Sequence, residues 1–224
     1  GQRELGSGLQ RTAVDGGDDR PAELLDPSQA RLHGFQLVEE RRGILAFTCA
    51  AVYAGLRAAA EFARSFGEAD NARKYDDAAS EIRAGMDAYL WRPELGRFAR
   101  MINITPSGSV QVDQTVDASL WGLFYFGAYP AADPRVQATM KAARDHLWCK
   151  TPVGGMARYS NDYYHQVSQD LAHVPGNPWF ICTLWYADYL IATAESAEQL
   201  SGALAILEWV DAHKLPSGVL AEQV

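Results

Sequence analysis

The run WFICTLWYADYLIATA, residues 179–194, constrains the fold more than any other stretch, because it is apolar on every side but for Asp188. A helix with no polar face has to be enclosed. The run is shorter than the roughly 20 residues a membrane-spanning helix needs, so enclosure by protein is expected. Other windows carry a single apolar stripe. Phe47, Ala51, Ala54, Ala58, Phe62 and Phe66 recur at steps of three and four, and Gly67 follows as a stop. Tyr75, Ala79, Ile82, Met86 and Leu90 repeat the pattern over 70–91, with Asp70 as the expected cap and Pro93 beyond the end.

Leu120, Leu123 and Phe124 mark a helix over 115–127, closed by Gly127. Asp133-Pro134 is a start signal, a capping side chain before a proline whose missing N–H costs nothing in a first turn, and Val136, Met140, Ala143 and Leu147 form the stripe after it. Asn177-Pro178 repeats that signal ahead of the apolar run, and Leu200, Leu204, Leu207 and Val210 give a last helix over 197–212. Phe98, Arg100, Ile102 and Ile104 alternate, with Val110 and Val112 beyond a Pro-Ser-Gly turn, so a small hairpin is expected near 97–112. Helices with one polar face beside a helix with none imply two concentric layers in an all-α domain over 35–224. Residues 1–34, rich in Gly, Asp, Gln and Arg, read as irregular.

Composition narrows the partners. A net charge of -8 repels phosphate backbones and anionic lipid, excluding nucleic acid and membrane as expected partners. Cys49, Cys149 and Cys182 sit among apolar neighbours without a CxxC, so buried free thiols are expected, and with no leader in the given residues they favour a cytoplasmic location. His146 and Cys149 are spaced to share a metal but no third ligand is near, so neither metal nor cofactor is expected.

Three connections carry chemistry. Glu39 and Glu40 lie in FQLVEERRG, where carboxylates also suit the positive end of a following helix. The loop GMARYSNDYYHQVSQDLAHVPGNPW brings Arg158, Tyr159, Asp162, Tyr163, Tyr164 and Trp179 together. Aromatic faces beside planar hydrogen-bonding groups suit a pyranose, with its apolar C–H faces and hydroxyl rim; a packed corner with Arg158 tied to Asp162 is the alternative. Glu222, in SGVLAEQV, reads either as a frayed end or as a carboxyl held against Val219 and Leu220, a setting that suits proton transfer.

LVEERRGILAFTCAAVYAGLRAAAEFA, GMARYSNDYYHQVSQDLAHVPGNPWFICTLWYADYLIA and LEWVDAHKLPSGVLAEQV together resemble the glycoside hydrolase family 15 glucoamylases and their glucodextranase and trehalase relatives, in the bacterial form. The resemblance runs from about residue 35 to 224 and implies an (α/α)6 toroid-like barrel, here incomplete, with the site in the loops at one end. It implies hydrolysis of α-glucosidic bonds at non-reducing ends of an oligo- or polysaccharide α-glucan, or of trehalose, with inversion. Glu39 maps onto the general acid, Glu222 onto the general base, Glu40 onto a substrate contact, Arg158 onto the arginine that binds the terminal sugar and Trp179 onto the tryptophan that helps shape the pocket. Tyr159 and Asp162, in the same loop as Arg158, are expected to contact substrate beside them. Val38 stands where the family carries a tryptophan, and Phe35-Gln36 where it carries an aspartate. A helical scaffold or sugar-binding remnant without turnover is therefore the second reading. About six helices are expected, and an apolar helix at 178–194 then exposes surface that self-association or a partner chain would cover. Arg41 and Arg42 are expected to point away from Glu39, because a close cation weakens an acid.

Overall fold

The computed structural model describes residues 42–224. The irregular segment expected at 1–34, the Glu39-Glu40 doublet and Arg41 lie outside the described residues; Arg42 is exposed.

Among the described residues the elements run β1 (Ile44–Leu45), α1 (Ala46–Ser65), α2 (Ala69–Gly85), β2 (Trp91–Arg92), β3 (Arg97–Phe98), β4 (Met101–Ile104), β5 (Val110–Asp113), α3 (Gly122–Tyr125), α4 (Pro134–Leu147), α5 (Phe180–Thr193) and α6 (Ser201–His213). The all-α reading holds, with six α-helices and small sheets. Gly67, at φ 75°, ends α1 as expected. A short turn returns the chain along it as α2.

The stripe expected on α1 is not the buried one: Phe47, Ala51 and Ala54 are partly buried, and Ala58, Phe62 and Phe66 are exposed. Phe62 and Phe66 are 68% and 67% exposed, whereas the pair of helices buries Ala60 and Ala63 from α1 and Ala72 and Ala79 from α2. Alanines let the two backbones approach closely, and phenylalanines in the seam would hold them apart. Asp70 does not cap α2 either. It lies in the first turn and pairs with Arg73, while Glu68 holds the cap position, its carboxylate accepting from Asn71 Nδ2 at 2.8 Å and not from a helix N–H.

The expected hairpin forms, with Ile102 opposite Val112 and Ile104 opposite Val110. β1 adds a third strand in the order β1-β4-β5, and β2 and β3 make a separate ribbon. The helix expected over 115–127 begins late. Asp117 stays extended and its carboxylate accepts the Ser119 N–H at 2.8 Å, so a 3₁₀ turn over Ala118–Trp121 leads into the short α3.

Asp133 and Pro134 start α4 as expected, the carboxylate accepting the Arg135 N–H at 2.8 Å. Asn177 does not do the same for α5, which begins at Phe180 after Trp179 with no side-chain cap. α5 packs on α6 and on the 3₁₀ turn, where Trp185 stacks on Trp121 at 5.0 Å. Its other side is open, with Ile181 and Ile191 each 51% exposed. Full enclosure is therefore not reached within the described residues. None of their helices is long and apolar enough to cross a membrane.

Candidate active site

Short stretches from distant parts of the chain meet as extended backbone. Ser160 N–H donates to Val116 O at 3.0 Å and Ala118 N–H to Arg158 O at 2.9 Å. Next to them Ala157 pairs with Pro178, and Trp179 N–H donates to Met156 O at 2.9 Å. Trp179 in turn pairs with Gln223, and Val224 N–H reaches Pro178 O at 2.9 Å. The loop of Arg158, the Asn-Pro-Trp block and the Glu-Gln-Val block, separate in sequence, are thus joined through their main chains.

A cavity of about 310 Å³ lies beside this junction, within the size range of small-molecule sites. Arg158, Tyr159, Trp179 and Glu222 line it, together with Arg100 and Asp117. Leu45, Phe47, Met101, Ile181 and Trp185 supply its apolar wall. A pyranose needs that combination, since its C–H faces seek apolar surface and its hydroxyls seek donors and acceptors.

Arg158 is held in place from several sides. Its Nε and Nη2 donate to the two Asp162 oxygens at 2.9 and 2.8 Å, a fork-on-fork pairing that fixes the guanidinium plane. Asp162 is fully buried and its carboxylate also accepts the Tyr164 N–H at 3.0 Å. Asp162 therefore grips the arginine from behind and does not line the cavity, unlike the direct contact expected of it. The corner is packed, and Arg158 still lines the hollow. The guanidinium lies 4.5 Å from the Trp179 ring, 4.8 Å from Tyr159 and 5.3 Å from Tyr164, a cation–π environment that suits a positive group in a partly dry site. Burial and then the Asp162 carboxylate push the Tyr159 hydroxyl up from its ordinary value, so it stays protonated.

Arg100 and Asp117 carry no sequence expectation. Arg100, 7% exposed, donates through Nε and Nη2 to Asp113 at 3.1 and 2.7 Å and through Nη1 to Asp117 at 3.1 Å. Its guanidinium lies 5.2 Å from the Tyr159 ring, so the tyrosine has an arginine near its ring from each of two loops. The available signal was an arginine between Phe98 and Ile102, both wholly buried, with the two aspartates close behind in sequence. A buried cation at such a place needs partners.

Glu222 reaches the cavity but is exposed, and Val219 and Leu220, expected to enclose it, are exposed too. The short turn before it, in which Gly218 N–H donates to Leu215 O at 2.8 Å, turns those side chains outward. Trp179 is buried, and its indole N–H has no acceptor among the described residues. Cys182 also lines the cavity, where burial pushes its thiol up from its ordinary value. All three cysteines are free and buried, as expected. The described residues contain no cluster of three or more metal-ligating side chains.

The sequence model of Glycosyl hydrolases family 15 matches residues 29–223. An uncharacterized glycosyl hydrolase of Methanocaldococcus jannaschii is 31% identical over 156 residues, which cover 69% of this chain and 22% of that protein. A bacterial glucoamylase solved in complex with acarbose superposes with a TM-score of 0.66 and 24% identity, over 82% of this chain and 29% of the other. The glucoamylase of Saccharomycopsis fibuligera gives 0.60 and 17% identity, over 85% and 52%. The fold is thus that of part of the glucoamylase-type (α/α)6 domain. The chain spans less than a third of the archaeal relative and of the bacterial enzyme.

Proposed function

The chain belongs to the glycosyl hydrolases of family 15, and from that premise we propose that it hydrolyses α-glucosidic bonds at the non-reducing ends of oligosaccharides or α-glucans, with inversion. Glu39 is the general acid and Glu222 the general base. Glu39 gives its proton to the glycosidic oxygen as the bond to the anomeric carbon breaks. Glu222 takes a proton from the water that attacks the same carbon from the opposite face. Inversion asks for carboxyls about 6.5–9.5 Å apart, enough to admit that water.

One observation carries this reading: Glu222 shares a sugar-sized cavity with Arg158, Tyr159 and Trp179. Arg158, fixed by Asp162, offers its N–H groups to sugar hydroxyls, and Tyr159 and Trp179 supply aromatic surface. Glu40 is assigned to substrate contact by its place in the doublet. The acarbose bound by the bacterial glucoamylase supports an oligosaccharide as substrate.

The second reading, a sugar-binding remnant without turnover, is favoured by Val38 and Phe35-Gln36 in place of the family's tryptophan and aspartate. Glucose release from maltose, isomaltose and trehalose separates the two, with Glu222→Gln as control. Release by the natural chain that the variant loses supports hydrolysis. Binding of acarbose without any release overturns it in favour of the remnant.

A further inference from the structure

Asn177 stands where a helix cap was expected, yet its amide is engaged elsewhere. Its Nδ2 donates to His165 O and to Gln223 Oε1, each at 2.7 Å, while its Oδ1 accepts the Val167 N–H at 3.2 Å. The two backbone partners settle which end of the amide is which, because a carbonyl can only accept and an N–H can only donate. That assignment makes Gln223 an acceptor toward Asn177. Beside the side-chain bond, the antiparallel pairing of Trp179 with Gln223 and the bond from Val224 N–H to Pro178 O hold the main chain.

The residues before Glu222 are tied within their own turn, Leu215 N–H donating to Val219 O at 2.9 Å, and not to the Asn-Pro-Trp block. Leu215, Val219, Leu220 and Ala221 are exposed. The direction of the Glu222 carboxyl is therefore set from its C-terminal side, by the residue next to it.

We propose that Asn177 and Gln223 form a latch that positions Glu222 against the cavity, Asn177 being recruited for this in place of capping α5. Neither residue lines the cavity, so the pair acts through Glu222. The proposal rests on Glu222 being the base as read above, and its consequence follows from geometry, since a misplacement of about 1 Å at a reacting group can cost roughly 100-fold in rate.

Gln223→Ala removes the latch and leaves the Asn177 bonds to His165 and Val167 in place. Gln223→Glu keeps an acceptor for Asn177. Amide hydrogen exchange at Val224, read by NMR on the full chain, is expected to speed up strongly in Gln223→Ala and to stay near the natural rate in Gln223→Glu. Glucose release by Gln223→Ala is expected to fall about 100-fold in kcat with KM nearly unchanged. Equal exchange in all three proteins overturns the latch, as does faster exchange with kcat intact. If the natural chain releases no glucose, the hydrolase reading fails on its own, and exchange alone then decides whether the latch holds residues 222–224.

Discussion

Replacing Asp162 by asparagine tests whether the arginine of the cavity stands by itself or is held. The change is nearly isosteric and keeps an oxygen for the Tyr164 N–H. It puts an NH2 group where a carboxylate oxygen accepts from Arg158, so a donor faces a donor and a cation loses its counter-charge. Removing one partner of a buried ion pair costs roughly 3–5 kcal/mol. Arg158 keeps 17% of its side chain exposed and Asp162 only 1%, so water can compensate a little and the lower end, about 3 kcal/mol, applies. For a chain of this size each kcal/mol lowers Tm by about 2–4 °C, giving a fall of roughly 6–12 °C. Thermal unfolding followed by circular dichroism measures it, and acarbose affinity should fall in parallel as the guanidinium loses its orientation. The exposed Lys141–Asp145 pair is the control, and Asp145→Asn should move Tm little. A fall in Asp162→Asn no larger than in that control refutes the argument that Asp162 positions Arg158.

Gly155, at φ 78°, has no room for a side chain: an added Cβ would lie 2.6 Å from Trp209 and 2.7 Å from Pro178. Gly155→Ala should lower stability by at least about 2 kcal/mol in urea unfolding. Gly67→Ala, at a similar φ but with nothing near, should cost clearly less, and equal losses would contradict the packing account. Burial pushes the Asp113 carboxyl up, but the bonds from Thr115 and Arg100 outweigh it and hold the group below its ordinary 3.8. A folded value below the unfolded one stabilises the protein above pH 3.8, and that contribution disappears as pH falls through the folded value. The stability gap between the natural chain and Asp113→Asn should thus be constant above about pH 5 and shrink below it, and a pH-independent gap counts against the assignment. Burial pushes the Cys49 and Cys149 thiols up to about 11, so a disulfide reagent at neutral pH should modify neither until the chain is unfolded.

The sequence was readable where local chemistry decides structure and misleading where distant partners compete. Asp133-Pro134 starts a helix because the cap needs only the next two residues, whereas Asn177-Pro178, the same signal, does not, because three tertiary partners claim the asparagine amide. Periodicity located α1 within a residue of its end, but not which side of it would face α2; small side chains won the seam and Phe62 and Phe66 stayed outside. Around the cavity, motif residues Arg158, Tyr159, Trp179 and Glu222 come together. Asp162 proved to be a support for Arg158, a distinction that depends on which way the loop turns at Asn161, whose φ is 63°. Arg100 and Asp117 were missed because their link runs across a hairpin and into the next turn, where sequence spacing has no period to show it.

The central claim is that the acidic doublet and Glu222 face one another across a single hollow. A crystal structure with acarbose bound measures it directly, through the separation of the Glu39 and Glu222 carboxyl groups on either side of the first sugar ring. The account predicts about 6.5–9.5 Å with a water next to Glu222. A separation near 5 Å contradicts inversion, and carboxyls that open onto different surfaces contradict the enzyme altogether.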